Sequence, residues 1–314
     1  MSAGTERDQF RGTAAHNTLQ LDGRNQSEPK GPFAWKRFTQ AKAEVWIAGQ
    51  TFDLFVGTHD GYSRLGNPAI HRRWVFFRKP KFWLVRDFML GSGQHQLDIR
   101  WHPNPDLSFT KPAKGAFLCF GKSGGIAIFS PAGQGCSKIV EQGPWSAAYG
   151  RKEPAIEVRF TTVTTLPAEF VTLLAPIGKL PEDADAQAGL MQVSTSPGMS
   201  AYRFIDNQEE HCFVFAQDES WMSGEWKSDA EFMYCCSTNG KLNLLVFCNG
   251  THVEFRGNRI VSSPKCLLRC EIISSQGKTQ VVCSENDILV SQEGMSKSFE
   301  AGATVPQESD EAGS

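Results

Sequence analysis

The chain opens on Arg7-Asp-Gln-Phe-Arg11-Gly-Thr-Ala-Ala-His16-Asn17-Thr-Leu-Gln-Leu-Asp22-Gly-Arg24-Asn-Gln-Ser-Glu28, a dense run of His, Asn, Arg and Asp. This run leads directly into a β-strand pattern. A second polar cluster follows at Gly57-Thr-His59-Asp60-Gly-Tyr62-Ser-Arg64-Leu. So much potential chemistry this close to the start indicates that further sequence belongs upstream.

Length and composition are those of an ordinary globular protein. The chain has 314 residues, of which 40% are hydrophobic and 21% charged. A net charge of −2 predicts no global attraction to nucleic acid or to a membrane surface, so any site for an anion must be local. No apolar stretch approaches the roughly 20 residues that a membrane span needs. The first residues lack the basic and apolar regions of a secretory signal peptide.

The cysteines do not indicate a metal site. Their number is nine, which is odd, and none forms a CxxC pair of the kind that binds zinc. Cys235 and Cys236 are adjacent, which suits opposite faces of one strand better than shared metal ligation. We expect mostly buried, reduced thiols in a large core.

Strand patterns cover most of the chain. Gln96-Leu-Asp-Ile-Arg-Trp101 alternates apolar and polar residues, and Arg78-Lys-Pro-Lys81 separates two apolar runs as a hairpin turn would. Asn239-Gly240 and Asn249-Gly250 match the tight turns that need positive φ angles. Only residues 182–191 look helical, and a glycine weakens that pattern. The sequence therefore predicts an all-β fold, a large antiparallel β-sandwich of stacked sheets with little helix.

Two stretches with few bulky apolar residues, 180–189 and 194–198, suggest domain boundaries. We predict a β-sandwich region over residues 4–198 and a continuing or second, smaller β unit over residues 199–300. Residues 301–314 hold three acidic residues and almost nothing to bury, so we expect a disordered tail.

His16 and Asn17 are the first candidates for a functional site. On an extended strand they would point to opposite faces, with His16 on the face of Thr18. A cleft-facing His16 could donate to a substrate carboxylate or shuttle a proton. An inward-facing His16 would instead be a hydrogen-bonded core histidine, and the residues alone leave both readings open.

His59 and Asp60 form a candidate metal site. A histidine and a carboxylate can bind zinc, or the carboxylate can orient the imidazole. No HxH or HExxH spacing supports this, and the alternative is a loop in which Asp60 caps the turn at Gly61. The sequence shows no Ser-His-Asp order, phosphate-binding loop or nucleotide fingerprint.

Residues 64–86 carry seven Lys and Arg residues and no Asp or Glu. Such a run suits an acidic polymer, because arginine binds carboxylate or sulfate through two parallel hydrogen bonds. Arg72 and Arg73 lie at its centre and are the candidate substrate-binding residues, together with Asn17. The alternative is an ordinary solvated hairpin face.

Seven motifs along the first part of the chain form a further pattern. They are Phe10-Arg-Gly-Thr-Ala-Ala-His16-Asn-Thr, Asp22-Gly-Arg-Asn-Gln-Ser-Glu28, His59-Asp-Gly-Tyr62, His71-Arg-Arg73, Phe82-Trp-Leu-Val-Arg-Asp87, Gly91-Ser-Gly-Gln-His95 and Trp145-Ser-Ala-Ala-Tyr149-Gly. These motifs resemble the C-terminal β domain of the heparinase II/III-like polysaccharide lyases. The resemblance covers roughly residues 4–180, and residues 200–297 fit it only in general character. Proteins of this family combine an (α/α) toroid with a large antiparallel β-sandwich, and the substrate cleft runs between them.

The resemblance implies β-elimination on a uronic-acid-containing polysaccharide. It matches His16 to the histidine that the β domain contributes to the cleft, and it implies one structural zinc, for which His59 and Asp60 are candidates. It also implies a periplasmic or cell-envelope location for the full-length protein.

The toroid that carries the family's Tyr, Asn and His has no counterpart in this chain. We therefore expect a fragment that is inactive alone, or a subunit completed by a toroid from another chain. The alternative function is a non-catalytic module that binds acidic polysaccharide or plays a structural role.

Overall fold

The computed structural model describes residues 3–113, 116–131, 135–148, 150–178, 189–206, 208–217, 220–275, 278–283, 288–292 and 295–299. Antiparallel strands dominate these residues, so the predicted all-β fold is confirmed. Within the same ranges, no helix has the length and apolar character needed to cross a membrane.

The chain divides into two compact units. Unit 1 comprises Met1–Ala48 and Phe52–Asp185, and unit 2 comprises Gly49–Thr51 and Ala186–Ser314. The turn at residue 198, where the sequence analysis placed a boundary, joins two paired strands of unit 2. The tail predicted at residues 301–314 lies outside the described residues.

Unit 1 begins with two short helices and continues in strands. The helices are α1 (Ala3–Arg11) and a 3-10 helix (Thr13–Ala15). The strands are β1 (Leu19–Leu21), β2 (Glu28–Lys30), β3 (Ala34–Arg37), β4 (Ala41–Ala48), β5 (Phe52–Tyr62), β6 (Ala69–Arg78), β7 (Phe82–Gly91), β8 (Gln94–Trp101), β9 (Ser108–Ala113), β10 (Ala116–Gly121), β11 (Gly124–Phe129), β12 (Ser137–Trp145), β13 (Glu153–Thr165) and β14 (Ala168–Ile177).

Two sheets of unit 1 form a sandwich. A four-stranded sheet has the order β1-β8-β13-β12 and an eight-stranded sheet has the order β4-β5-β6-β7-β14-β11-β10-β9, while β2 and β3 pair separately. The predicted hairpin around residues 78–81 joins β6 to β7. One hydrophobic cluster takes side chains from both large sheets, including Leu97, Ile99, Val158 and Phe160 from the first and Val85, Met89, Phe117, Ile128 and Phe170 from the second. Burial of a side chain of this size stabilises the fold by about 1.5–3 kcal/mol.

Strand β8 departs from simple alternation. Leu97, Ile99 and Trp101 face the core as predicted, but Asp98 and Arg100 are also buried, at 3% and 8% exposure. Asp98 accepts a hydrogen bond from the Thr161 hydroxyl on the neighbouring strand (2.6 Å), and the Arg100 guanidinium is paired with a glutamate there. Partners on β13 thus cover the polar face of β8, although Arg100 Nε is buried without a hydrogen-bond partner.

Unit 2 is a second pair of sheets. Its strands are β15 (Gly189–Ser196), β16 (Met199–Asp206), β17 (Glu209–Ala216), β18 (Trp221–Ser223), β19 (Trp226–Ser228), β20 (Phe232–Thr238), β21 (Lys241–Cys248), β22 (Gly250–Phe255), β23 (Asn258–Leu267), β24 (Cys270–Ser275), β25 (Lys278–Cys283), β26 (Ile288–Gln292) and β27 (Met295–Phe299). A seven-stranded sheet has the order β15-β16-β17-β20-β21-β24-β25, and a six-stranded sheet has the order β18-β19-β22-β23-β26-β27. Their inner faces share one hydrophobic cluster.

Of the two tight turns predicted in unit 2, the structure contains one. Asn239 and Gly240 have φ angles of 51° and 76° and close the β20–β21 hairpin, as expected. Asn249 also has a positive φ, 52°, but the chain leaves β21 there and enters β22 in the other sheet. The tight turn predicted at Asn249-Gly250 needs a positive φ at both residues, and only Asn249 has one, so this turn does not form as predicted.

The helix predictions were less accurate. Residues 189–191, the end of the segment expected to be helical, begin strand β15, and residues 179–188 lie outside the described part of the chain. The helix that does form, α1, was not predicted. Its sequence AGTERDQFR is rich in good helix formers, which the polar character of the opening obscured.

Candidate functional site

The candidate site is built on the segment that links the 3-10 helix to β1. His16 ends the 3-10 helix, and both His16 and Asn17 are exposed. Strand β1 begins only at Leu19, so the strand alternation expected for residues 16–18 does not orient these side chains. The structure thus places His16 in solvent and not in the core.

Hydrogen bonds from the motif Asp22–Glu28 hold this segment in place. Thr13 N–H donates to Asn25 Oδ1 (2.9 Å), and Gln26 N–H donates to Thr13 Oγ1 (2.7 Å). The Gln26 side-chain amide donates to Thr18 Oγ1 (3.2 Å) and to the Leu19 carbonyl (3.1 Å). The motifs Phe10–Thr18 and Asp22–Glu28 are therefore held together by these hydrogen bonds.

Asn17 is the point at which the segment joins the sheets. The guanidinium of Arg73, on β6, donates from Nη1 to the Asn17 carbonyl (2.6 Å). The Asn17 side-chain oxygen accepts hydrogen bonds from the backbone N–H of His102 (2.8 Å) and from its Nδ1–H (3.0 Å). The predicted site residues Asn17 and Arg73 are therefore in contact, and both hold the backbone beside His16.

A chain of hydrogen bonds lies behind Arg73 across β5, β6 and β7. Gly61 N–H donates to His59 Nδ1 (3.2 Å), so neutral His59 carries its proton on Nε2 and donates to His71 Nδ1 (2.9 Å). His71 in turn donates from Nε2 to Asp87 Oδ1 (2.6 Å). Arg73 donates to both oxygens of Asp87, at 2.7 and 3.0 Å. Every donor and acceptor position in this chain is set by its neighbour.

The electrostatics fix the charge of two members of this network, His59 and Asp87. Burial is the main cause that lowers the pKa of His59 to about 3, and the charges of His71 and Arg73 add to it. Burial alone would raise the pKa of Asp87, but the Arg73 guanidinium and the His71 hydrogen bond outweigh it and hold that pKa well below its usual range. Near neutral pH His59 is thus neutral and Asp87 ionised.

Glu157 supports the other side of Asn17. It is paired with Arg100, and its Oε2 lies 3.6 Å from His102 Nε2. Burial would raise the pKa of Glu157, but the interactions with His102 and Arg100 outweigh it and lower that pKa. His102, which the sequence analysis did not use, therefore connects this buried carboxylate to Asn17.

Tyr62 is structural. It is fully buried, and its hydroxyl accepts from Leu21 N–H (3.2 Å) and donates to the Leu19 carbonyl (3.2 Å), which ties β5 to β1. Burial is the main cause that raises its pKa to about 12. Tyr202 and Tyr234 are also fully buried, and Tyr149 lies outside the described residues. The described tyrosines are therefore poor candidates for a base that acts on a polymer.

The structure does not bring His59 and Asp60 together around one point. His59 contacts His71, whereas Asp60 is exposed and its Oδ1 accepts from Gln40 N–H (2.8 Å). The donor atoms of His59, His71 and Asp87 face one another in hydrogen bonds. In this arrangement the donor atoms of His59, His71 and Asp87 do not converge on a position for a zinc ion. Zinc binding by His59 and Asp60 remains a prediction.

A different group within the described residues could hold a metal ion. Glu209, His211 and Cys236 each offer one ligand atom, and these atoms all lie within 4.8 Å of one another. They belong to unit 2 and not to the segment around His16.

The basic run 64–86 is largely neutralised by acids from other parts of the chain. At least five of its seven cations form ion pairs: Arg64 with Glu28, Arg72 with Glu44, Arg73 with Asp87, Lys79 with Asp53 and Arg86 with Glu169. Arg72 also lies over the Trp74 ring, 4.3 Å from its centroid. The local excess of positive charge is therefore much smaller than the sequence window suggests.

A cleft with a volume of about 550 Å³ lies beside the motif Asp22–Glu28. Its lining includes Asp22, Arg24, Asn67 and His95. His95 is buried, and its ring nitrogens lie 2.7 Å from Asp22 Oδ2 and 3.1 Å from the Ser92 carbonyl. Asp22 and the Ser92 carbonyl thus hold the His95 ring in position at the edge of the cleft.

Comparison with known proteins assigns the family. A family model described as "Heparinase II/III-like, C-terminal" matches residues 2–194. The chain belongs to this family. The resemblance found in the motifs is confirmed, and the heparinase II/III-like region includes all of the predicted site residues.

The relatives are polysaccharide lyases. The chain is 26% identical over 174 residues to a heparin-sulfate lyase of Pedobacter heparinus, a match that covers 54% of this chain and 24% of the relative. The heparan sulfate lyase HepC of the same organism has a TM-score of 0.52 at 20% identity, over 65% of this chain and 30% of that one. A heparinase III structure has a TM-score of 0.54 at 17% identity, over 68% and 31%. The chain thus spans about a quarter of the curated relative and shares its fold with about a third of each solved structure.

Sequence reasoning missed the role of Asp87, although a signal for it was present. The predicted hairpin at residues 78–81 pairs Arg78 with Phe82, and the same register pairs Arg73 directly with Asp87. Following the hairpin back along both strands would have placed this carboxylate beside Arg73. His71 pairs with His59 across β5 and β6. Predicting this pair would have required knowledge of the bulge after His59.

Proposed function

We propose that this chain is the β-domain portion of a polysaccharide lyase that cleaves uronic-acid-containing polysaccharide by β-elimination. Membership of the heparinase II/III-like family supports lyase chemistry. The names of its relatives, a heparin-sulfate lyase and a heparan sulfate lyase, support an acidic polysaccharide as the substrate.

The reaction sets three requirements. A base removes the proton at C5 of the uronate, the adjacent carboxylate is neutralised because that proton is a very weak acid, and the leaving glycosidic oxygen is protonated. The C5–H bond and the C4–O bond break, and a C4–C5 double bond forms. A histidine can take part in the proton transfers, and hydrogen-bond donors at a rigid surface can neutralise the carboxylate.

The observation that carries the proposal is the exposed His16 on a backbone held from two sides. Arg73 fixes the carbonyl of Asn17, and His102 fixes its side-chain oxygen. With that oxygen engaged, the exposed amide of Asn17 offers its N–H donors to a substrate. In this proposal the His16 imidazole assists proton transfer at the cleft, and Arg73 acts as a positioning residue.

Residues outside this chain complete the active site in this proposal. The described tyrosines are buried, so an (α/α) toroid, in a longer chain or as a separate subunit, supplies the base. The chain alone then binds acidic polysaccharide without cleaving it. A purely binding module that depends on the basic run is less favoured, because most of that run is paired with acids.

The test combines a binding assay with a lyase assay on a panel of uronic-acid polymers, with dextran as the neutral control. Turnover is followed by the ultraviolet absorbance of the unsaturated product. We expect the folded chain to bind at least one acidic polymer and to show no turnover. With a toroid supplied, His16→Ala should lower kcat at least about 100-fold and leave affinity unchanged. His252→Gln, a histidine substitution in unit 2, is the matched control.

Each other result contradicts a definite part of the proposal. Turnover by the chain alone would show that the base lies within it. Binding to none of the acidic polymers would overturn the choice of substrate. Full activity of His16→Ala in the completed enzyme would remove His16 from the reaction, and binding without turnover in every assembly would establish the non-catalytic module.

A further inference from the structure

The cross-strand arrangement of β17 and β20 brings three metal-ligating side chains to one face of the seven-stranded sheet. His211 and Cys236 are direct partners in the register of these strands. Glu209 lies two residues before His211, so its side chain is on the same face. The ligand atoms of the three residues lie within 4.8 Å of one another. All three lie beyond residues 2–194, the part that matches the family model.

Burial favours a bound ion over a chance cluster of surface groups. His211 is 1% exposed and Cys236 is 3% exposed, while Glu209 is half-buried. A thiolate formed at the buried Cys236 needs a compensating charge, and a divalent cation supplies one. The side chain of Glu209 leaves one edge of the group accessible to solvent, which gives an ion a route of entry.

The orientation of His211 is fixed before any ion binds. Its ring lies between the rings of Phe204 and Tyr234, with interplanar angles of 25° and 11°. Its Nδ1 lies 2.9 Å from the Tyr234 hydroxyl. When Nδ1–H donates to that hydroxyl, the lone pair is on Nε2, which is the usual way in which an outer hydrogen bond sets the tautomer of a metal-binding histidine.

One of the donor spacings is close to that of a tetrahedral ion. His211 Nε2 lies 3.6 Å from Glu209 Oε2. Two ligands about 2.1 Å from a tetrahedral zinc ion are separated by about 3.4 Å. The other spacings are at most 4.8 Å, so the side chains need to move by about 1 Å to share one ion.

We propose that Glu209, His211 and Cys236 bind a divalent transition-metal ion of the zinc class. Imidazole, thiolate and carboxylate are the donors that zinc accepts, and the thiolate selects against magnesium and calcium, which prefer oxygen ligands. Binding converts the Cys236 thiol to a thiolate and releases its proton to solvent, so affinity falls as the pH is lowered. Three protein ligands leave a fourth position for water or another ligand.

The test uses the whole chain after treatment with a chelator and removal of the chelator. We expect one equivalent of zinc per chain, measured by elemental analysis after dialysis, and little binding of magnesium or calcium. Cobalt as a probe should give the sulfur-to-cobalt charge-transfer absorption of a thiolate ligand. This band should disappear in Cys236→Ser, and zinc affinity should fall at least about tenfold in His211→Gln and in Glu209→Gln.

Cys212→Ser is the matched control, because Cys212 is next to His211 but points to the opposite face of β17. It should keep both the stoichiometry and the cobalt absorption. Glu209→Gln changes a half-buried side chain without altering its size, so it remains informative if the buried substitutions prevent folding. Zinc binding that is absent from the wild type, equal in Glu209→Gln, or lost only in Cys212→Ser would overturn the proposal.

Discussion

Replacing Asp87 by asparagine tests whether the buried network behind Asn17 holds the candidate site together. The Asp87 carboxylate is fully buried and accepts three hydrogen bonds, two from Arg73 and one from His71. The substitution removes the negative charge and turns one acceptor oxygen into a donor that faces Arg73 or His71. Arg73 is then left with a partly buried charge, and its hold on the Asn17 carbonyl is weakened.

The magnitude follows from the burial of the two partners. Removing one member of a buried ion pair destabilises a protein by about 3–5 kcal/mol. Because the Arg73 side chain is 20% exposed and can reach water, we take the lower end, about 3 kcal/mol. For a unit of this size, each kcal/mol lowers Tm by about 2–4 °C, so we expect a drop of about 6–12 °C.

Thermal unfolding of the wild type and the variant measures this drop. Arg72→Gln is the control, because Arg72 and Glu44 form an exposed pair that contributes about 0–1 kcal/mol. The two arginines are neighbours on β6, so a comparison of the two variants separates the buried network from the surface charge. A change of less than about 1 kcal/mol in Asp87→Asn, or one equal to that of Arg72→Gln, would refute the reasoning.

The same variant has a defined pH dependence. Burial opposes ionisation of Asp87, but Arg73 and His71 hold its pKa in the folded state below the ordinary value of 3.8. A carboxyl group with a lowered pKa stabilises the fold fully above its unfolded value, and this contribution is lost as the pH falls further. The Tm difference between wild type and Asp87→Asn should therefore be constant above about pH 5 and shrink below about pH 4. A difference that persists unchanged to about pH 3 would contradict this assignment.

Three further substitutions test other parts of the fold by the same unfolding measurement. Tyr62→Phe leaves the buried N–H of Leu21 without its acceptor and should cost about 1–3 kcal/mol, whereas a neutral effect would mean that water replaces the hydroxyl. Asp229→Asn removes a carboxylate that accepts two backbone N–H groups and a hydroxyl at the start of β22, and we expect a loss of about 2 kcal/mol. Gly250→Ala places a methyl group 2.7 Å from Ala230 Cα and should cost about 1–3 kcal/mol; unchanged stability would show that the segment around Ala230 yields easily.

The fold class could be predicted because strand patterns are local. Leu97 and Ile99 were assigned to the core from alternation alone, and both are fully buried. The Asn239-Gly240 turn was predictable because its positive φ angles depend on the two residues themselves. Which strands share a sheet was not predictable, because that depends on packing between residues far apart in the sequence.

The site was predictable in its motifs but not in its contacts. His16 and Asn17 were identified from the residue types and from the family resemblance, and their exposure agrees with a site at the surface. The sequence did not reveal His102 as a partner of Asn17, because 85 residues separate them. A hydrogen bond of this kind leaves no periodic pattern, so only the folded register reveals it.

The basic run shows why a charge count along the sequence fails in a β protein. Residues 64–86 contain no acid, yet antiparallel pairing brings Asp87 opposite Arg73, and the neighbouring strand β5 supplies Asp53 to Lys79. Strand neighbours are only about 5 Å apart, well inside the screening length at physiological salt, so they set the local field more strongly than residues next in the chain. An anion-binding surface on this sheet must therefore be sought where cations exceed the acids of adjacent strands.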